Sequence, residues 1–181
     1  MKLPTRAECF DLLKKYKVLP NILEHSIVVN KIANYLAKRL KEKGIKIDLN
    51  VVDRASLLHD IGKSILIINE PQKARTAEDS HHITGEEILV KEGYPELGLV
   101  CRRHSLKELH NINRWEEKVV KYADVRVKHT EIVGVKERMA DLQKRYKVKK
   151  EEMVSVSEVL KLEKEIYNII DESPDSLKDV I

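Results

Sequence analysis

Apolar residues return every three or four positions along most of this 181-residue chain, and sustained period-two alternation does not occur. The pattern predicts helices. Thr5-Arg6-Ala7-Glu8 reads as a capping box and opens a short helix through about Tyr16. A long helix is predicted from Asn21 to Lys43, with Gly44 as the residue beyond its end. On it His25, Val28, Val29, Ile32 and Leu36 share one face, so His25 is expected to point at the core.

Asp48 or Asn50 caps a third helix whose apolar face runs Val51, Val52, Ala55, Leu58 and then His59, with Gly62 ending it. Residues 66–79 carry Asn69, Pro71 and mixed charges and are expected to form a long loop. Ser80 is the expected cap of a fourth helix from His81 to about Glu92, closed by Gly93. Pro95 opens a fifth helix with Leu97, Val100 and His104 on one face. Asn113-Arg114-Trp115-Glu116 opens a sixth, on which Val120, Ala123, Asp124 and Val127 align. Two more helices are expected over 133–147 and 155–171, the second capped by Ser155 with Glu158. The expected fold is all-α: one helical domain of seven or eight helices over 1–172, with 173–181 as a frayed tail.

Composition narrows this only a little. Hydrophobic residues at 42% with 35% charged residues suit a globular chain and argue against disorder. With 4% aromatics, the core must be built from Leu, Ile, Val and Ala. The net charge of +4 comes from interspersed Lys and Glu, which suits solvated helix faces and a small anionic substrate more than a nucleic-acid groove. Cys9 and Cys101 offer neither metal spacing nor a disulfide framework, and no apolar run approaches the length of a membrane span. A cytoplasmic location is the expectation.

The chemistry gathers around Leu57-Leu58-His59-Asp60-Ile61-Gly62-Lys63. Adjacent helical side chains diverge by about 100°, so a single buried face accounts for one of His59 and Asp60 but not both. Five predicted helices direct metal-competent groups inward: His25, the His59-Asp60 pair, His81 or His82, His104, and Asp124. Burying several imidazoles and two carboxylates together is reasonable if divalent cations lie between them.

In that order and spacing, these residues resemble the HD-domain metal-dependent phosphohydrolase superfamily. The match is to its HDIG branch, carried by Glu24-His25-Ser26, His59-Asp60-Ile61-Gly62-Lys63 and Tyr122-Ala123-Asp124, and it covers residues 20–130. The resemblance implies that His25, His59, Asp60 and Asp124 hold one metal. It adds His81, in a His-x-x-x-Gly segment ending at Gly85, and His104 as ligands of a second, with Asp60 bridging. Two divalent ions are thus expected, drawn from Mn, Fe, Co, Ni, Zn or Mg, and they would activate a hydroxide for attack on phosphorus. Asp60 and Lys63 are the expected catalytic residues. Lys63, His82, Arg103 and Arg126 are expected to meet the substrate, Lys63 alternatively capping the preceding helix.

Two positions depart from the family pattern. Cyclic-dinucleotide phosphodiesterases of this superfamily carry a His-His pair followed by Gly-Tyr-Pro. This chain has Arg103-His104-Ser105, and its Gly93-Tyr94-Pro95 comes earlier. Val28 stands where the family often has arginine. The expected activity is hydrolysis of a phosphate mono- or diester of a small metabolite, most plausibly a nucleotide. The alternatives are a di-iron oxygenase of the same architecture and a non-catalytic nucleotide-sensing module. His110 and His129 read as surface residues, Trp115 and Cys101 as core.

Overall fold

The structure is a computed structural model that describes residues 2–74, 76, 79–146 and 156–180. Among these, nine α-helices follow one another: α1 (Arg6–Lys15), α2 (Pro20–Glu42), α3 (Leu49–Leu58), α4 (Lys63–Asn69), α5 (His81–Lys91), α6 (Pro95–Arg103), α7 (Trp115–Val125), α8 (Val135–Tyr146) and α9 (Val156–Ile170). Short 3-10 turns cover Leu106–Asn111 and Pro174–Asp179. A two-stranded ribbon, β1 (Val127–Lys128) against β2 (Glu131–Ile132), links α7 to α8 with Val127 opposite Ile132. The fold is all-α apart from this ribbon. No helix among the described residues is long and apolar enough to cross a membrane.

α2 is the spine. It packs along α3 and α7, while α5 lies against α6. Val29, Ile32, Ala33 and Leu36 on α2 are wholly buried and meet Val51, Val52 and Ala55 of α3 and Val119, Val120 and Ala123 of α7 in one aliphatic core. That core is contiguous from Cys9 to Leu177.

The caps explain where several helices begin. Thr5 and Glu8 form the reciprocal capping box at α1. Asp48, and not Asn50, caps α3 by accepting from the Asn50 and Val51 amides at 2.8 and 3.3 Å. The Ser80 side chain makes no cap at α5; Asp79 takes that place, accepting from the His81 amide at 3.1 Å. Gly62 does not close α3, which stops at Leu58. It is the N-cap of α4, reached through a turn that carries His59 and Asp60.

Gly62 and Gly85 are fixed by space. A Cβ on Gly62 would collide with the His81 carbonyl and the Gly85 amide, and one on Gly85 with the Cys101 sulfur. The two glycines therefore let the start of α5 press against the His59-Asp60 turn and against α6.

Two further expectations are corrected. Residues 66–69, expected to begin a loop, complete α4, because Ser64 and Leu66 are buried against neighbouring helices. The segment from Ser173 does not fray among the described residues. Leu177 is fully buried, and the Pro174 carbonyl accepts from Arg126 at 3.4 Å. The expected cap at Ser155, Lys147 at the end of the eighth predicted helix, and loop residues 75, 77 and 78 lie outside the described residues.

Leu177→Ala should cost about 2–4 kcal/mol, the range for emptying a buried leucine site, measured as a lower midpoint in urea unfolding. An unchanged midpoint would mean that this last turn does not belong to the core.

Candidate metal centre

Six side chains from five places in the chain converge beneath α2. His25 comes from α2, His59 and Asp60 from the turn after α3, His81 from the first residue of α5, His104 from the end of α6, and Asp124 from α7. All are buried except Asp124, whose side chain is 15% exposed. His25, His59 and Asp60 offer ligand atoms all within 4.8 Å of one another, and Asp60, His81 and His104 do the same. Asp60 is common to both groups. Asp124 Oδ1 joins the first, 3.0 Å from His25 Nε2 and 3.8 Å from His59 Nε2.

Each imidazole is pinned from behind. His25 Nδ1 donates to the His129 carbonyl at 2.8 Å and His59 Nδ1 to the Ser56 carbonyl at 2.8 Å. His104 Nδ1 donates to the Cys101 carbonyl, and His81 Nδ1 to Asp79 Oδ1. Four acceptors behind four rings assign the proton to Nδ1 and leave every Nε2 lone pair facing inward, the arrangement of histidines poised as metal ligands. Those lone pairs then oppose one another and the carboxylates: His81 Nε2 is 3.2 Å from His104 Nε2, and Asp60 Oδ1 lies 3.4 and 3.6 Å from the two. Facing acceptors repel. His59 Nε2 and Asp60 Oδ1, both buried, have no hydrogen-bond partner at all. Divalent cations would satisfy these atoms together, and the nitrogen and oxygen donors suit Mn, Fe, Co, Ni or Zn. The donor set fits the group.

Burial pushes the His59 and His81 imidazoles down, but Asp60 and the other neighbouring carboxylates outweigh it and raise both, so positive charge is drawn into the cluster. Burial raises the Asp60 carboxyl, but Lys63 and His59 outweigh it and hold it well below the usual carboxylate range. Burial also acts on Asp124, where His25 and His59 again win and the carboxyl stays ionised. Burial pushes His104 down to about 4 and His82 down to about 3, so both are neutral near pH 7.

A cavity of about 760 Å³, solvent at its mouth included, opens directly on Asp60, Asp124, His81 and His104. Lys63 reaches it with Nζ 2.9 Å from Asp60 Oδ2, and His82 also lines it. Arg103 and Arg126, expected at the substrate, are not on its wall. Arg103 is spent on Glu117 at 2.7 Å, and Arg126 on the Val133 carbonyl, the Tyr122 hydroxyl and Glu163. Both arginines point away because their helix positions face α7 and α9. Val28 packs into the core.

Among the cavity residues that sequence reasoning missed, four bear on the chemistry: Asp79, Lys121, Arg138 and Tyr146. Asp79 sits next to the expected cap, so its bond to His81 was within reach of a reading that looked one residue earlier. Lys121 is buried beside the centre and donates to the His104 carbonyl; burial lowers its ammonium to about 8. It falls on the same helical face as Asp124, which was the available signal. Arg138 and Tyr146 come from α8, where nothing in the local pattern points to a site. His129 has an exposed side chain, as expected, but its carbonyl orients His25. The residue reaches it by adopting a left-handed φ of 57° in the turn of the ribbon.

The HD-domain family model matches residues 22–128, most of the helices just described. This chain belongs to the HD-domain family. HD domains make up a metal-dependent phosphohydrolase superfamily, and both groups of side chains that could hold an ion lie within the matched segment. The uncharacterized protein MJ0778 of Methanocaldococcus jannaschii is 38% identical over 85 residues, which is 46% of this chain; the chain spans 44% of that relative's length. No solved structure matches.

Adding Mn²⁺ or Zn²⁺ to metal-stripped protein should raise its unfolding temperature. At a hundredfold excess over Kd the gain is about 2.7 kcal/mol. In Gly85→Val, whose side chain would drive α5 from α6, the gain should shrink at least tenfold in apparent metal affinity. Thermal unfolding with and without metal reads both outcomes.

Proposed function

We propose that this HD domain hydrolyses a phosphate mono- or diester of a small metabolite, most plausibly a nucleotide. The observation that carries the reading is the apposition of bare imidazole nitrogens and carboxylates at the floor of a cavity whose walls are basic. In this proposal His25, His59, Asp60 and Asp124 hold one divalent ion, and Asp60, His81 and His104 a second. When bound, the ions would supply Lewis-acid activation of water and neutralise charge on the phosphoryl oxygens.

The chain's own residues do the rest. Asp60 is the shared anchor, kept ionised by Lys63 and His59. Lys63, whose Nζ lies on the cavity side of Asp60, adds positive charge where a phosphate would enter. His82, neutral at the wall, is available as a hydrogen-bonding group to the substrate. Leu106, Leu142 and Tyr146 give the outer wall an apolar and aromatic surface, which favours a phosphoester bearing a planar ring over inorganic polyphosphate.

Metal analysis of the purified protein followed by a panel of nucleotide and non-nucleotide phosphoesters tests the reading. Asp60→Ala should lose both metal and turnover while its far-UV circular dichroism keeps the helical signal. Full activity in that variant would remove the proposal, and so would an iron pair that consumes oxygen without releasing phosphate. Tyr146→Ala should raise KM for the preferred nucleotide roughly 3- to 10-fold, in keeping with loss of one ring contact, and leave cleavage of a ringless ester such as glycerol phosphate unchanged.

A further inference from the structure

We propose that Arg138, on a helix beyond the family-matched segment, is the residue that grips the substrate's phosphoryl group; this rests on the phosphohydrolase reading above. The family match ends at residue 128, and α8 begins at Val135. α8 nevertheless forms a wall of the cavity, presenting Arg138, Leu142 and Tyr146 at i, i+4 and i+8.

The guanidinium is placed and held. Val135 and Met139 anchor α8 in the core. The ribbon before it is clamped to α7, with the Val133 amide donating to the Arg126 carbonyl at 2.9 Å. Arg138 Nη1 donates to Asp141 Oδ2 at 2.8 Å, and Asp141 is braced in turn by Arg145. Arg138 is 4% exposed, so this is a desolvated cation rather than a solvated surface group.

Its donors are not used up. Nη2 lies 3.9 Å from Asp124 Oδ1, too far for a hydrogen bond, and Nε is buried without any partner. A buried N–H left unpaired is costly, and the Arg138 side chain lines the same cavity as Asp60 and Asp124. A guanidinium presents its donors as a planar fork that matches two oxygens of a phosphate. Lys63 and Lys121 also line the cavity, one paired with Asp60 and the other donating to the His104 carbonyl, but each is a point charge without the planar fork of a guanidinium. A role limited to neutralising Asp124 would call for a close ion pair, and at 3.9 Å the pair is loose.

The test uses wild-type protein, Arg138→Lys and Arg138→Gln, each loaded with Mn²⁺, with metal content and circular dichroism measured first. Inorganic phosphate is the probe, titrated by calorimetry. Arg138→Gln should weaken phosphate binding at least tenfold and Arg138→Lys less, metal content staying at the wild-type level. On a turned-over phosphoester, KM should rise more than kcat falls. A variant that keeps its metal and binds phosphate like wild type overturns the assignment alone. Wild-type protein that neither binds phosphate nor cleaves a phosphoester overturns the phosphohydrolase reading as well. If both variants lose metal or fold, wild-type protein crystallised with Mn²⁺ and phosphate decides. An anion oxygen within about 3.2 Å of Arg138 Nε or Nη upholds the assignment, and an anion seated elsewhere ends it.

Discussion

Electron-rich atoms that face one another in a buried space need something positive between them. His81 and His104 bring their Nε2 atoms to 3.2 Å, and Asp60 adds an oxygen to the same gap. Such a contact is repulsive when the rings are neutral, and the bonds behind each ring hold the proton on the far side. The arrangement is maintained by the helices and by the carbonyl and carboxylate acceptors behind the rings. The rest of the structure can be understood as the frame that makes this tolerable.

That frame depends on close approach. Gly62 and Gly85 remove the side chains that would separate α5 from the His59-Asp60 turn and from α6. Residues 79 and 129 then complete the frame from outside the ligand set, one through a carboxylate and one through a backbone carbonyl. Neither contacts the gap, yet both decide which ring nitrogen faces it. The histidine-glycine spacing in α5 is thus a packing requirement as much as a chemical one.

The cavity is asymmetric. Its floor carries the acids and imidazoles of the family-matched segment, while α8 and the 3-10 turn after α6 supply the outer wall, with Arg138, Tyr146, Leu142 and Leu106. Of the wall elements, α8 lies beyond the family-matched segment. Leu142 and Tyr146 share a helix face with the buried arginine.

Much of this was legible in the chain alone. Helical periodicity is local, so the runs around His25, His59, His104 and Asp124 disclosed both the helices and the inward direction of those residues. The order of the motifs disclosed the family. What local pattern could not convey is how helices far apart in sequence are oriented against each other. Arg103 and Arg126 carry the right charge in the right neighbourhood, but the crossing of α6, α7 and α9 turns them to Glu117 and Glu163. Lys121 and Arg138 look like ordinary surface cations until α7 and α8 are packed. The sequence by itself determined which elements form and which faces they bury, because those follow from spacing along one helix. Only the tertiary structure decided which atoms meet across the cavity, because that depends on long-range packing and on hydrogen bonds from residues that carry no motif.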